Sequence, residues 1–262
     1  MPRLKISVIT PSYNQGRFIE RTIESVLQQA GDFEIEYLIM DGGSTDNTLE
    51  ILRKYAGRIT VEIAADDGQA DAINKGLRRA GGEIVGWLNS DDLLAPGALQ
   101  RVVEVFTRYP NVEWVHGRCD IVDADGRLIR PLISLYKHWL CRRYSFSRLL
   151  TENFISQMTV FWRRNLMEVT GYPDQSLNFA FDYDYWLRLA QRSDPFYIND
   201  RQASFRWYQT SKSGSQFREQ FREDYEVARR HAKDNHWILL HKQWKTARMI
   251  MIYRILSMFH RI

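Results

Sequence analysis

The first third of the chain alternates between short apolar runs and segments with helical spacing. Four apolar runs have the length of buried strands, at residues 4–10, 37–40, 59–64 and 84–88. Between them, apolar residues recur every three or four positions over residues 19–27, in a segment ending at Tyr55, and over residues 69–80. Strands and helices in this order are joined by right-handed crossovers. The pattern therefore predicts an α/β fold with a mainly parallel central sheet flanked by helices.

The second half of the chain is less regular. It predicts strands at residues 112–117 and 156–161, a hairpin turn at 123–126 and a helix at 181–191. No flexible linker interrupts it. We expect one domain over residues 1–215, with a first part of about 1–117 and a second of about 118–215. A helical extension over residues 216–262 follows.

Composition indicates an ordinary globular protein. Of the 262 residues, 44% are apolar and 26% are charged. The two cysteines, Cys119 and Cys141, fit neither a disulfide framework nor a zinc site, which favours the reducing cytoplasm. The chain enters its first strand without a signal peptide, and no apolar run is long enough to span a bilayer.

Adjacent carboxylates, Asp91 and Asp92, directly follow the fourth apolar run. Like charges side by side repel, so a cation or a solvated face must offset them. A solvated turn would carry such a pair without any ligand. However, earlier strands also end in acidic turns, at Asp41 and at Asp66-Asp67. Because the carboxyl ends of parallel strands meet at one sheet edge, we expect these turns to form a ligand cleft.

A nucleotide in this cleft would need its phosphates neutralised. The chain has neither a Gly-x-Gly-x-x-Gly cradle nor a Walker-type loop after its first strand. The hard oxygens of Asp91 and Asp92 suit Mg²⁺ or Mn²⁺, which can bridge a diphosphate. Asp41 either accepts a hydrogen bond from a base or only forms a turn. Tyr13 either stacks on that base or is simply exposed.

Three ordered motifs, at residues 7–14, 41–46 and 89–92, read SVITPSYN, DGGSTD and NSDD. Together they closely resemble family 2 glycosyltransferases with the A-type fold, over roughly residues 4–210. The segment at 66–76, DDGQADAINKG, is similar to a subgroup from bacterial polysaccharide and O-antigen pathways. The resemblance implies a catalytic domain whose first part binds the nucleotide and whose second part binds the acceptor.

The resemblance also implies roles for individual residues. Asp41 would contact the base, Asp91 would lie near the ribose and the metal, and Asp92 would coordinate the metal. The remaining residues that we expect to bind the nucleotide sugar are Pro11, Ser12, Tyr13, Asp71 and Asn74.

The family's Glu-Asp motif corresponds here to Phe181-Asp182, so the Glu is missing. Asp182 would be the general base, and Asp184 is the alternative. Residues two apart on a helix point to different faces, so only one of them can aim squarely at the cleft, and Asp182 lies nearer the helix start.

The resemblance implies an inverting transfer of a sugar from a nucleotide-diphosphate sugar to a glycan or lipid-linked acceptor in surface polysaccharide biosynthesis. Such a reaction needs a base for the acceptor hydroxyl and a metal for the leaving diphosphate. Two alternatives remain open, a sugar-nucleotide pyrophosphorylase and a noncatalytic sugar-nucleotide or membrane-binding scaffold. In the loop after residue 206, Lys212 either meets phosphate or is solvated.

No acidic residue follows Asp234. Apolar residues at steps of three and four share this tail with basic ones. The apolar set is Trp237, Leu240, Trp244, Ala247, Met251, Ile255, Met258 and Ile262, and the basic set is Lys242, Lys245, Arg248, Arg254 and Arg261. This pattern favours a basic amphipathic helix on the inner face of the plasma membrane, and packing on the domain is the alternative. Nothing resembles a nucleic-acid-binding module, so we expect no nucleic-acid partner.

Overall fold

The computed structural model describes residues 3–212, 216–233 and 235–259, without the side chains of residues 217, 218, 249 and 252–259. The first half contains four parallel strands in the spatial order β3-β2-β1-β4. The strands are β1 (Leu4–Ser12), β2 (Phe33–Asp41), β3 (Thr60–Ile63) and β4 (Ile84–Trp87). The connecting helices are α1 (Ile19–Leu27), α2 (Thr48–Lys54) and α3 (Gln69–Arg79). The predicted parallel strands with helices between them are confirmed.

The second half extends the same sheet in the order β4-β8-β6-β9-β5. Strand β8 runs antiparallel to β4 and β6, whereas β6 and β9 are parallel. The elements are β5 (Leu93–Leu94), α4 (Ala98–Arg108), β6 (Trp114–Val122), β7 (Leu128–Ile129), α5 (Pro131–Cys141), α6 (Phe146–Thr151), β8 (Phe161–Arg163), α7 (Met167–Thr170), α8 (Phe181–Ala190) and β9 (Phe196–Arg206). Two helices follow, α9 (Phe217–His231) and α10 (His236–Phe259).

One predicted strand, at residues 156–161, is wrong. A 3-10 turn covers Gln157–Thr159, and β8 begins only at Phe161. The Gln157 side chain donates to the Trp87 carbonyl at 2.7 Å, and the Thr159 hydroxyl donates back to the Ser156 carbonyl at 2.7 Å. These side-chain bonds stabilise a turn where the apolar pattern alone indicates a strand. The hairpin turn at 123–126 is confirmed, because β6 and β7 pair in antiparallel fashion.

Alternating residues of the central strands fill two hydrophobic cores, one on each face of the sheet. One core contains four fully buried tryptophans, Trp87, Trp114, Trp162 and Trp186. The Trp186 ring, on α8, stacks on the Trp87 ring of β4 with centroids 5.1 Å apart. Helix α8 is thereby fixed against the strand that leads into Asp91 and Asp92.

The C-terminal helices pack on the rest of the domain. Val227 and Ala228 of α9 are fully buried, and Lys242 of α10 is buried with its ammonium over the Tyr183 ring. The domain boundary at residue 215 stays a prediction, and the helices that follow it pack on the residues before it. In the predicted tail, the side chains of Arg254, Ile255 and Met258 lie outside the description, as do Arg261 and Ile262 entirely.

Candidate functional site

Asp41, the last residue of β2, ties together the loops that follow β1 and β2. Its buried carboxylate accepts hydrogen bonds from the Ser12 hydroxyl at 3.0 Å and from the Ser44 hydroxyl at 2.7 Å. The backbone N–H groups of Gly43 and Ser44 donate to its other oxygen at 3.1 and 2.7 Å. Gly43 has a φ of +89°, which favours glycine. The turn-forming role of Asp41 is thus visible, and its contact with a base stays a prediction.

A narrow pocket lies beside this turn. Its polar lining consists of Asp41, Glu62, Asp66 and Lys75. Of the residues predicted to frame the nucleotide, Pro11 and Ser12 are buried in β1, whereas Tyr13 is exposed beyond the end of that strand. The structure therefore leaves the Tyr13 ring accessible for stacking.

Asp71 and Asn74, both on α3, hold the segment that leads into α8. The Gln175 side chain donates to Asp71 at 3.0 Å, and the Asn74 side chain donates to the Pro173 carbonyl at 2.9 Å. Asn74 is only 2% exposed, so it reaches a nucleotide sugar only if its surroundings move. Asn74 thus helps to position this segment, and its predicted ligand contact stays a prediction. For Asp71 the ligand contact stays a prediction.

The two adjacent carboxylates point in different directions. Asp92 is fully buried, and its carboxylate accepts hydrogen bonds from the Arg206 backbone N–H at 2.8 Å and from the Asn89 side chain at 3.3 Å. Burial and the neighbouring Asp91 charge raise the pKa of Asp92 well above its usual value. Asp91 is half-buried and accepts a hydrogen bond from the Tyr208 hydroxyl at 3.0 Å. The metal roles that we predicted for Asp92 and Asp91 stay predictions, and Asp91 is the more accessible of the two carboxylates.

Arg206, at the end of β9, holds the loop that carries Asp91 and Asp92 through hydrogen bonds to backbone carbonyls. Its buried guanidinium donates to the backbone carbonyls of Asp91 and Ala124, both at 2.8 Å. Opposite it, the Thr22 hydroxyl on α1 lies 2.9 Å from the Ser90 carbonyl and 2.8 Å from the Asp92 carbonyl. Nothing in the sequence near Thr22 signals this role, because the contact spans 70 residues.

A larger cavity of about 440 Å³ lies next to Asp91, where Tyr208 forms part of its wall. Its lining also includes Asp123, Ala124 and Ile129, together with Arg130, whose guanidinium sits 3.7 Å from the centre of the Trp207 ring. Lys212 donates instead to the Asn178 carbonyl and lies over the Phe179 ring. A phosphate contact for Lys212 stays a prediction.

Asp182 and Asp184 occupy the first turn of α8 in contrasting environments. Burial and the Asp224 carboxylate raise the pKa of Asp182 to about 7. The ring of the preceding residue, Phe181, lies 6.3 Å from the Trp87 ring, measured between ring centroids, which places the first turn of α8 beside the end of β4. Asp184 is buried, where it pairs with Arg188 and accepts a hydrogen bond from His231, both at 2.8 Å, and the hydrogen bond from His231 helps to lower its pKa. This geometry favours Asp182 as the base and gives Asp184 a structural role.

Glu223 on α9 is a residue that sequence reasoning missed. Its carboxylate accepts hydrogen bonds from the backbone N–H groups of Asn178, Phe179 and Ala180 at 2.9, 2.5 and 2.6 Å. These groups directly precede α8, so Glu223 fixes the entry to the helix that carries Asp182. The 45-residue separation in sequence leaves no local signal of this contact.

The carboxylate of Asp91 is a suitable oxygen ligand for a divalent cation such as Mg²⁺ or Mn²⁺. Within the part of the chain that the structure describes, no three acidic, histidine or cysteine side chains cluster as a complete ligand set. Mg²⁺ commonly binds one or two protein carboxylates and takes its other ligands from substrate phosphates and water. A single partly exposed carboxylate suits that mode.

Comparison with known proteins identifies the family of the chain. The model of glycosyl transferase family 2 matches residues 7–170. Chondroitin synthase from Pasteurella multocida is 30% identical over 189 residues, which cover 71% of this chain and 19% of that protein. The chain spans less than two thirds of the length of the curated relatives that it matches.

Two solved structures share the fold at lower sequence identity. S. aureus TarS 1–349 in complex with UDP-GlcNAc has a TM-score of 0.64 and 19% identity, covering 86% of this chain and 65% of that one. The mannosyltransferase PcManGT from Pyrobaculum calidifontis, in complex with GDP-Man and Mn²⁺, has a TM-score of 0.65 and 20% identity, covering 98% and 81%. The predicted A-type fold is confirmed. The chain belongs to glycosyl transferase family 2.

Proposed function

We propose that this protein is an inverting, metal-dependent glycosyltransferase. It takes a sugar from a nucleotide-diphosphate sugar and transfers it to a glycan or lipid-linked acceptor of a surface polysaccharide, on the cytoplasmic side of the membrane. The observation that carries the proposal is Asp182, a carboxylate in the first turn of α8, beside the end of β4, whose pKa is raised to about 7. A group with that pKa near neutral pH is suited to accept a proton.

The transfer needs one carboxylate base. Asp182 accepts the proton of the acceptor hydroxyl while the acceptor oxygen forms a bond to the anomeric carbon. The bond to the diphosphate breaks on the opposite face of the sugar, so the anomeric configuration inverts. Asp182 is held for this task by the hydrogen bond from the Tyr183 backbone N–H at 2.6 Å and by the Trp87–Trp186 stack beneath α8.

Asp91 is the residue that would hold Mg²⁺ or Mn²⁺. A bound cation supplies stabilisation of the negative charge that develops on the leaving diphosphate. Asp92 and Arg206 support Asp91 from the interior, because they fix the backbone on either side of its side chain. The exposed Tyr13 ring would stack on the base, as the sequence predicts.

The names of relatives support the substrate class. The matched solved structures hold UDP-GlcNAc or GDP-Man, and the curated relatives include chondroitin synthases. These names support a nucleotide-sugar donor and a polysaccharide product. Family membership also removes the support for a sugar-nucleotide pyrophosphorylase.

A donor panel tests the proposal. UDP-, GDP- and dTDP-sugars are incubated with the protein and Mn²⁺ or Mg²⁺, and thermal stabilisation and donor hydrolysis are followed. We expect at least one donor to raise the melting temperature only when metal is present. Asp91→Ala serves as the matched control and should abolish that shift. A noncatalytic scaffold would bind a donor without hydrolysis or transfer to any acceptor, and absence of binding by every donor would contradict both readings.

A further inference from the structure

Helix α5 exposes an apolar stripe that the function does not use. Leu140 and Cys141 face the core, whereas Leu132, Leu135, Tyr136 and Trp139 are exposed. Their spacing of three and four residues places them along one side of the helix. Leu132 is 78% exposed and Trp139 is 47% exposed, which is high for large apolar side chains arranged in a row.

Helix α10 carries a second stripe of the same kind. Lys242 and Lys245 point towards the domain, where Lys245 pairs with Glu152 at 2.9 Å. The other side exposes Trp237, Leu240, Trp244 and Met251, again at steps of three, four and seven residues. Trp237 is 83% exposed and Trp244 is 59% exposed. The helix therefore packs on the domain through one side and presents aromatic residues on the other.

Glu152 connects the two helices. The Tyr136 hydroxyl on α5 and the Lys245 ammonium on α10 both donate to the same Glu152 oxygen, each at 2.9 Å. The helices are therefore neighbours, and the stripes belong to one region of the surface. We call the exposed side chains of these two stripes the two-helix surface.

The two helices that form the two-helix surface carry basic residues and no acidic ones. No Asp or Glu occurs between residues 131 and 151 or from residue 235 to the end of the chain. Glu152, the acidic residue beside it, is engaged by Lys245. Each stripe carries an exposed arginine over its own tryptophan, Arg143 at 4.6 Å from the Trp139 ring centre and Arg248 at 5.0 Å from that of Trp244.

We propose that the two-helix surface binds the face of an anionic lipid bilayer. Tryptophans with a basic neighbour suit the boundary between lipid headgroups and acyl chains, where the ring is apolar and the guanidinium meets phosphate. Basic residues near an anionic surface attract it, and buried apolar side chains add to the binding. In the described residues, no helix is both long and apolar enough to cross a membrane.

Binding to vesicles tests the proposal without nucleotide, so its outcome is independent of the proposed reaction. The full chain is sedimented with vesicles of phosphatidylcholine alone or mixed with phosphatidylglycerol, at low and high salt. We expect salt-sensitive binding to the anionic vesicles only. The pair Leu135→Ser/Trp139→Ser and the pair Trp237→Ser/Trp244→Ser should each weaken it by about tenfold or more.

Matched variants test whether vesicle binding depends on this surface or on exposed apolar side chains and positive charges elsewhere on the protein. Val169→Ser removes an apolar side chain that is 58% exposed outside the two helices, and it should bind as the unmodified protein does. Arg143→Glu/Arg248→Glu should abolish binding, whereas exposed Arg53→Glu/Arg58→Glu should retain most of it. Equal binding to neutral vesicles, or full binding by both tryptophan pairs, overturns the proposal. The proposal is also overturned if sedimentation velocity shows a dimer that the tryptophan variants dissociate, because a second copy of the chain then covers the surface.

Discussion

The backbone N–H of Arg206 donates to the carboxylate of Asp92 at 2.8 Å, across 114 residues of sequence. This bond joins the end of β9 to the loop after β4, and it turns Asp92 into the interior. Asp91, one residue earlier, accepts a hydrogen bond from the hydroxyl of Tyr208, a residue that lines the larger cavity. Two identical side chains in adjacent positions thus have different tasks, and substitutions can tell those tasks apart.

Asp91→Ala should remove metal-dependent nucleotide binding while the protein stays folded. The affinity for UDP or GDP with Mn²⁺ should fall by more than the roughly 10- to 100-fold typical of outer-shell changes. Asp92→Ala should instead cost about 1–3 kcal/mol of unfolding free energy, because the Arg206 N–H loses its buried acceptor. Calorimetry and urea unfolding of both variants provide the measurement. If Asp92→Ala loses the metal effect at unchanged stability, the metal belongs to Asp92.

Asp182→Asn should retain the fold and donor binding but lose transfer, because an amide cannot accept the proton of the acceptor hydroxyl. Removal of a general base typically lowers the rate on the order of a hundred- to ten-thousand-fold. Single-turnover sugar transfer and donor titration measure the two effects. An active Asp182→Asn protein beside an inactive Asp184→Asn protein would reverse the assignment.

The pH dependence of kcat/KM should report the raised pKa of Asp182. The base works only when ionised, so activity should rise with pH through about 7 and then level off. Asp224→Asn removes a negative charge that raises this pKa, so the rise should move to lower pH. The exposed Asp200→Asn serves as control and should leave the profile in place. An unchanged profile in Asp224→Asn would remove Asp224 from the site's electrostatics.

Asp184→Asn should lower stability by about 3 kcal/mol, because Arg188 and His231 lose a buried partner. The pKa of Asp184 is lowered in the folded state, so its contribution is present above the unfolded pKa of about 4 and is lost as the pH falls through the folded value. The difference between variant and parent in urea unfolding should therefore shrink below about pH 4. Glu226→Gln, in an exposed pair with Arg229, should change stability by less than about 1 kcal/mol.

Glu223→Gln should lower kcat with little change in donor affinity. A neutral amide has one acceptor oxygen for the three N–H groups that Glu223 now receives, so the entry to α8 loosens and Asp182 loses its position. Small misplacements of a reacting group cost on the order of a hundredfold in rate. Amide hydrogen exchange at residues 178–180 should accelerate in the same variant. Full activity with accelerated exchange would show that α8 keeps its position without Glu223.

The sequence predicts the first half of the fold well because each β-α unit carries its own periodicity and turn residues. It also predicts that the acidic turns at Asp41 and Asp91 gather at one edge, which follows from parallel strands. The orientation of Asp92 and the role of Glu223 depend on segments that arrive from far along the chain, and local patterns contain no trace of them. The strand predicted at 156–161 fails for a related reason, since the Trp87 carbonyl stabilises a turn there.

The contact between Glu223 and the entry to α8 also limits how the chain can be divided. The family model ends at residue 170, before Asp182, and the support for Asp182 comes from α9. In a chimera that replaces the segment after residue 170 with that of a relative, residues 178–180, α8 and α9 must therefore all come from the same protein. A cut at residue 215 separates the base from the carboxylate that holds its helix, and such a protein should open locally around 178–180 even where its sheet stays intact.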